Sequence, residues 1–202
     1  MRRGRFIALE GGEGAGKSTQ ATLLAVELGA VLTREPGGTA VGQRLRALLL
    51  DPAARLDARA EALLMAADRA QHVAEVVRPA LEAGRDVVTD RFAGSSLAYQ
   101  GYGRGLPLDE VRGLSAWATG DLWPDVVVLL DVPAAAAAGR RRPRPDRIEA
   151  EGDGFHDRVE DGFRALAAAE PGRWVVVDGV GPVADVAARV AAAVTSRLGA
   201  PR

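Results

Sequence analysis

Residues 9–19, LEGGEGAGKST, hold the only lysine of a chain whose other 25 basic residues are all arginine. Gly11, Gly16, Lys17 and Ser18 stand in the G-x4-G-K-S spacing of a phosphate-binding loop. Glycines there let the backbone curl until successive N–H groups converge on phosphate oxygens, and the start of a following helix adds partial positive charge. A compact ammonium on a thin stem fits such a cradle, whereas a planar guanidinium is too wide. Lys17 would span the β- and γ-phosphates of a nucleoside triphosphate, with Ser18 placed to ligate Mg2+. The spacing points to triphosphate binding and leaves open what the phosphate is used for.

Other residues narrow that use. A guanine-reading Asn-Lys-x-Asp motif is impossible, because the chain has no asparagine and no second lysine. The run VVVLLDVP ends in Asp131, as the acid-bearing strand of a motor ATPase would, but an arginine-rich loop follows it. Phosphoryl transfer to a small anionic acceptor fits better. That chemistry must align two polyanions and exclude water, so it needs arginines on both sides of the transferred group and an element that closes. Candidates are TREPGGT (33–39), ADRAQ (67–71), DRFAGSSLAYQGYGRG (90–105) and GRRRPRPDRIEAEGDG (139–154). The last has three readings: a solvated charge run, a nucleic-acid patch, or a lid. Against the second, no aromatics interleave, and Asp146, Glu149, Glu151 and Asp153 dilute the charge. His72 and His156 are read as solvated helix residues, and no metal-ligand cluster is visible.

Short apolar runs at 5–9, 30–33, 86–89, 126–132 and 174–178 read as parallel strands buried on both faces. Helical patterns fall between them, at 17–28, 41–50, 58–83, 94–100, 107–119, 133–141, 155–169 and 182–198. The alternation predicts an α/β, three-layer P-loop NTPase-type sandwich: a five-stranded parallel sheet flanked by helices, with right-handed crossovers. The whole chain, 1–202, reads as one domain with a lid insertion at 140–153.

Composition sets outer bounds. The chain is 48% hydrophobic and 26% charged, ordinary for a globular domain. A net charge of −1 argues against broad attraction to nucleic acid or anionic lipid. No apolar run is long enough to cross a bilayer. The absence of cysteine excludes thiolate chemistry and fits a reducing cytoplasm.

Taken together, EGGEGAGKSTQ, LTREPGGT, LRALLL, DRF…SSLAYQGYGRG, PDVVVLLDV, DRIE and FHDRV…F resemble the thymidylate kinase family nearly end to end. The resemblance implies phosphorylation of dTMP to dTDP with ATP and Mg2+, in an enzyme that is commonly a homodimer through its long helices. A kinase of another nucleoside monophosphate, or a non-catalytic nucleotide-binding regulator, is the alternative. It implies that Gly11, Gly12, Glu13, Gly14, Ala15, Gly16, Lys17, Ser18, Thr19 and Arg140 hold ATP, with Ser18 and Asp90 at the metal. Glu13, Glu35, Pro36, Arg46, Met65, Arg69, Arg91, Ser96, Tyr99 and Gln100 would receive dTMP: Arg46 near its phosphate, Arg69 at the thymine edge, Tyr99 crowding the place of a ribose 2′-OH. Lys17, Asp90, Arg91, Arg142 and Arg144 would serve the transfer. Some members carry an arginine at the position of Gly14; without it, lid arginines drawn from Arg140, Arg142, Arg144 and Arg147 are the family's other solution. A phenylalanine usually stacks on thymine where this chain has Met65.

Overall fold

The computed structural model describes residues 3–133, 136 and 145–199. Strands β1 (Phe6–Glu10), β2 (Val31–Arg34), β3 (Val87–Asp90), β4 (Val126–Asp131) and β5 (Trp174–Asp178) form one parallel sheet in the order β2-β3-β1-β4-β5. Helices α1 (Lys17–Leu28), α2 (Ala40–Leu50), α3 (Ala58–His72), α4 (Arg78–Glu82), α5 (Ala93–Ser96), α6 (Leu108–Thr119), α7 (Asp153–Ala169) and α8 (Val183–Leu198) flank it.

The strand period of two divides β1 between the layers. Ile7 and Leu9 face α1 and α8, packing with Leu24, Val186, Val190 and Val194. Phe6 and Ala8 face the other side, against Val73, Val77, Leu81 and Phe92. Beside them Val127 and Leu129 of β4 pack on Val159, Phe163 and Leu166 of α7. The result is the expected three-layer sandwich. β1, β3 and β4 are the buried strands, while β2 and β5 pair on one side only and leave Leu32 and Val176 half-exposed. The expectation that all five are buried on both faces fails at those edges.

Two predicted helices are broken by wider turns. The helix expected over 58–83 runs as α3, a π-helical turn at Val73–Val77, and α4. The one expected over 94–100 is α5 continued as a π-helical turn, Leu97–Gly103. That second turn lies tight on α7, where a Cβ on Gly103 would fall 2.7 Å from Phe155. The helix expected at 133–141 and the first part of the expected lid lie almost wholly outside the described residues. Residues 145–150 are not loose: the Arg147 N–H donates to Leu50 O at 3.2 Å, and Ile148 is buried in the α7 core.

From β1 the chain goes first to β2 at the edge and back to β3 on one side, then to β4 and β5 on the other. A crevice therefore opens at the carboxyl ends of the central strands, where ligands of open α/β sheets bind. The phosphate-binding loop leaves β1 there, and Asp90 and Arg91 leave β3 beside it.

Candidate active site

A cleft of about 830 Å3 occupies that crevice. At one end the loop after β1 turns into α1 through Gly14 and Gly16, both left-handed at φ 74° and 87°. Lys17 is buried, and its Nζ donates to Gly12 O at 2.6 Å. Burial, and next the Arg91 charge, lower its amine to about 7. Ser18 donates its hydroxyl to Asp90 Oδ2 at 2.5 Å, while Asp90 Oδ1 is buried with no hydrogen-bond partner. An orphaned carboxylate oxygen beside a hydroxyl fits Mg2+, which takes one or two protein ligands and fills its shell with water and phosphate oxygens. Among the described residues no cluster of three or more His, Asp or Glu is placed to hold a metal by itself.

At the other end a buried network ties four segments together. Glu35, in the turn after β2, accepts from Arg69 Nε at 2.8 Å and meets His72 Nδ1 at 2.8 Å. His72 Nε2 meets Thr33 Oγ1 at 2.6 Å. Arg69 also donates to Ser96 Oγ at 2.9 Å, Phe92 O at 3.3 Å and Ser115 Oγ at 3.3 Å. Asp68 accepts from the Gly37 N–H at 2.9 Å, and burial, with Glu35 nearby, pushes its carboxyl up. Arg46 holds the same turn through Pro36 O at 2.9 Å. His72 is thus fully buried, correcting the reading of it as solvated; only His156 is partly exposed, at the cleft wall.

Arg91 joins the two ends. Its guanidinium donates to Gly11 O at 3.1 Å, Ser95 Oγ at 2.9 Å and Tyr99 Oη at 3.1 Å, and stacks 5.0 Å from the Tyr99 ring centre. Its backbone is left-handed, φ 70°, a strain that surrounding structure must hold. Burial opposes its charge, but Tyr99, then Asp90, Glu10 and Glu13, outweigh that and raise its pKa. Beneath it Glu10 accepts from Phe92 N, Ser95 N and Ser95 Oγ at 2.9, 3.0 and 2.6 Å. Burial raises Glu10, with these bonds and Arg91 opposing. Across the cleft, burial raises the Glu149 carboxyl, and the facing Glu13 adds to the shift.

The cleft is lined by Glu13, Gly14, Gly16, Lys17, Ser18, Thr19, Glu35, Pro36, Arg46, Met65, Arg69, Asp90, Arg91, Ser96, Tyr99 and Gln100. Gly11, Gly12 and Ala15 shape the loop behind it. Arg140, Arg142 and Arg144 lie outside the described residues. Arg147 is committed elsewhere, donating to Leu49 O at 2.9 Å and Glu61 Oε2 at 2.7 Å. Asp131 pairs with Arg164 at 3.2 Å, away from the cleft. Sequence reasoning assigned no role to Glu10, Glu61, Asp68 or Ser95, although Asp68 and Ser95 fall within the candidate stretches ADRAQ and DRFAGSSLAYQGYGRG. An acid ending the apolar run FIALE was the one available signal.

A phosphate-binding loop and an arginine-lined pocket sharing one cleft, on a 2-3-1-4-5 sheet, define the P-loop phosphotransferase class. The family model described as thymidylate kinase matches residues 9–190. A thymidylate kinase from a Synechococcus strain is 53% identical, over 96% of this chain and 95% of that protein. One from Deinococcus radiodurans is 50% identical, over 98% and 99%. The crystal structure of thymidylate kinase from Ehrlichia chaffeensis superposes with TM-score 0.78 and 32% identity, covering 93% of this chain and 97% of that one. The chain belongs to the thymidylate kinase family.

Proposed function

We propose that this enzyme transfers the γ-phosphoryl group of ATP to the 5′-phosphate of dTMP, giving ADP and dTDP. The acceptor phosphate oxygen forms the new P–O bond as the bond from γ-phosphorus to the β–γ bridging oxygen breaks. The acceptor is already an anionic nucleophile, so no protein base is required. The observation that carries this reading is that Lys17 and Ser18 open into the same cleft as Arg69 and Ser96, with Arg91 reaching both ends.

Loop amides and Lys17 hold the triphosphate. Ser18 and Asp90 would hold Mg2+, which when bound neutralises charge on the β- and γ-oxygens. Arg91 bridges the acceptor phosphate and the transferring group, its fork fixed in advance by Tyr99 and Ser95. Arg69 and Ser96 address the thymine edge, Met65 lies against the base, Arg46 and Pro36 border the phosphate, and Glu13 faces the sugar. Arg142 and Arg144 are assigned to the transferring group and Arg140 to ATP on sequence alone, within one domain over 1–202 whose lid is 140–153. Trp117 on α6 and Leu63 on α3 are 82% and 59% exposed, an apolar surface that supports a homodimer through these helices. Among the described residues no helix is long and apolar enough to cross a membrane, in keeping with a cytoplasmic enzyme.

The test is ADP release from MgATP with dTMP, dUMP, UMP, CMP, AMP or GMP as acceptor. dTMP should exceed dUMP about tenfold or more, the scale one methyl contact can supply, and the others by about 100-fold. Equal turnover of all six would remove the thymine assignment. ATP binding without turnover would remove the kinase.

A further inference from the structure

Glu61, on α3, is 1% exposed. Its two oxygens accept four bonds: from Gln100 Nε2 at 2.9 Å, Arg104 Nε at 3.2 Å, Arg104 Nη2 at 3.0 Å and Arg147 Nη2 at 2.7 Å. Arg104 continues to Glu151 at 2.5 Å, so two guanidiniums and two carboxylates balance. Burial would raise Glu61, but the bonds from Arg104, Gln100 and Arg147 outweigh it and hold the carboxyl below its ordinary range. It is therefore an ionised, acceptor-only group at neutral pH.

That fixes the neighbouring amide. A carboxylate can receive only the NH2 end of a glutamine, so Gln100 must turn its nitrogen toward Glu61. Gln100 is itself 1% exposed and lines the cleft beside Ser96 and Arg69. The end left for a ligand is its carbonyl oxygen. We propose that Glu61 is a specificity-positioning residue: by pinning the Gln100 amide it presents an acceptor to the base, selecting pyrimidines with an N3–H donor and rejecting those whose N3 is itself an acceptor. Thymine and uracil carry the donor; cytosine does not. A site built to pair with a donor leaves its own acceptor unpaired when the donor is missing, and rejection is correspondingly strong.

The inference rests on the dTMP kinase reading, and the experiment separates the two. The quantity measured is the ratio of kcat/KM for dTMP to that for dCMP, which is independent of the fraction of active protein. Wild type must turn over dTMP; if it does not, the kinase reading fails. With wild type active, Glu61→Gln should lower the ratio about tenfold or more, chiefly by raising KM for dTMP, because residue 61 can then either donate or accept and Gln100 can flip. Glu61→Asp, which stays acceptor-only, should keep the ratio. Arg147→Gln should keep it too, even where turnover falls. If Glu61→Gln does not fold, Glu61→Gln with Arg104→Gln removes the unbalanced cation and is expected to show the same drop. A ratio unchanged in the Gln variants, with both substrates slowed alike, would make Glu61 a packing anchor and overturn the proposal.

Discussion

The two ends of the cleft are built from different materials. The triphosphate end is backbone: glycine-shaped N–H groups, one lysine, and a Ser18–Asp90 pair with an oxygen to spare. The acceptor end is side chain: Glu35 after β2, Arg69 and His72 on α3, and Ser96 on α5 are bonded to one another before any ligand arrives, and Asp68 on α3 holds the Gly37 N–H of the same turn. The first end adapts its charge to what it binds. The second has its charge and geometry fixed in advance. Phosphate, common to every nucleotide, needs only the former; telling one base from another needs the latter.

Breaking the acceptor network should therefore cost stability. Glu35→Gln leaves Arg69 buried without its partner, a change worth about 3–5 kcal/mol, read as a shift of the urea midpoint together with a higher KM for dTMP. An unchanged midpoint would mean that the acceptor end is no more pre-built than the donor end.

Breaking the donor end should do the reverse. Lys17→Met removes a buried amine that the fold already holds near neutrality. It should lower kcat about 10²–10³-fold in a coupled ADP assay without lowering the melting temperature, and Lys17→Arg should not restore activity.

The adaptable charge can be counted. The lowered Lys17 amine, at about 7, is mostly neutral at pH 8, and a polyphosphate beside it favours the ammonium. ATP binding at pH 8 should take up close to one proton, seen by calorimetry in two buffers of different ionisation enthalpy. Affinity should accordingly weaken as pH rises above 7. Uptake of no proton would show the lysine already charged.

The smallest change tests the one departure from the family pattern. Met65→Phe replaces a thioether contact with a ring stack and should lower KM for dTMP by no more than about tenfold, within the ~0.5–1.5 kcal/mol of an aromatic pair. A much larger gain would mark Met65 as a functional change of base preference.

The same contrast governs how much of the molecule could be read from its sequence. The strands, their parallel arrangement and the phosphate loop are local signals: a run of apolar residues, then glycines at set spacing, then a helix. The acceptor end is made of pairs far apart in the chain. Glu35 and His72 are 37 residues apart, and Gln100 and Glu61 are 39 apart. Nothing local marks a histidine that will bridge Thr33 and Glu35, so His72 reads as solvated. Its position three residues after Arg69, on the same helix face, was the only hint. Family resemblance supplied Glu35, Arg69, Ser96 and Gln100, but not Glu61, the acid that holds Gln100. The π-helical turns were illegible for a related reason: Leu97–Gly103 widens where Gly103 meets α7, a contact made only in three dimensions. Arg147 shows the same limit in reverse. In sequence it belongs to an arginine run; in space it is bonded to Glu61 and Leu49.

The solitary Lys17 has a practical corollary. This protein has no thiol and a single side-chain amine, and that amine is half-deprotonated at neutral pH and faces the cleft. An ordinary lysine stays protonated there and is a poor nucleophile. A mild acylating reagent at pH 7 would thus find one side-chain target in the whole chain, the residue that grips the triphosphate. The extent of acylation at Lys17, read by mass on the peptide that carries it, becomes a direct gauge of how much of the enzyme holds nucleotide at a given moment.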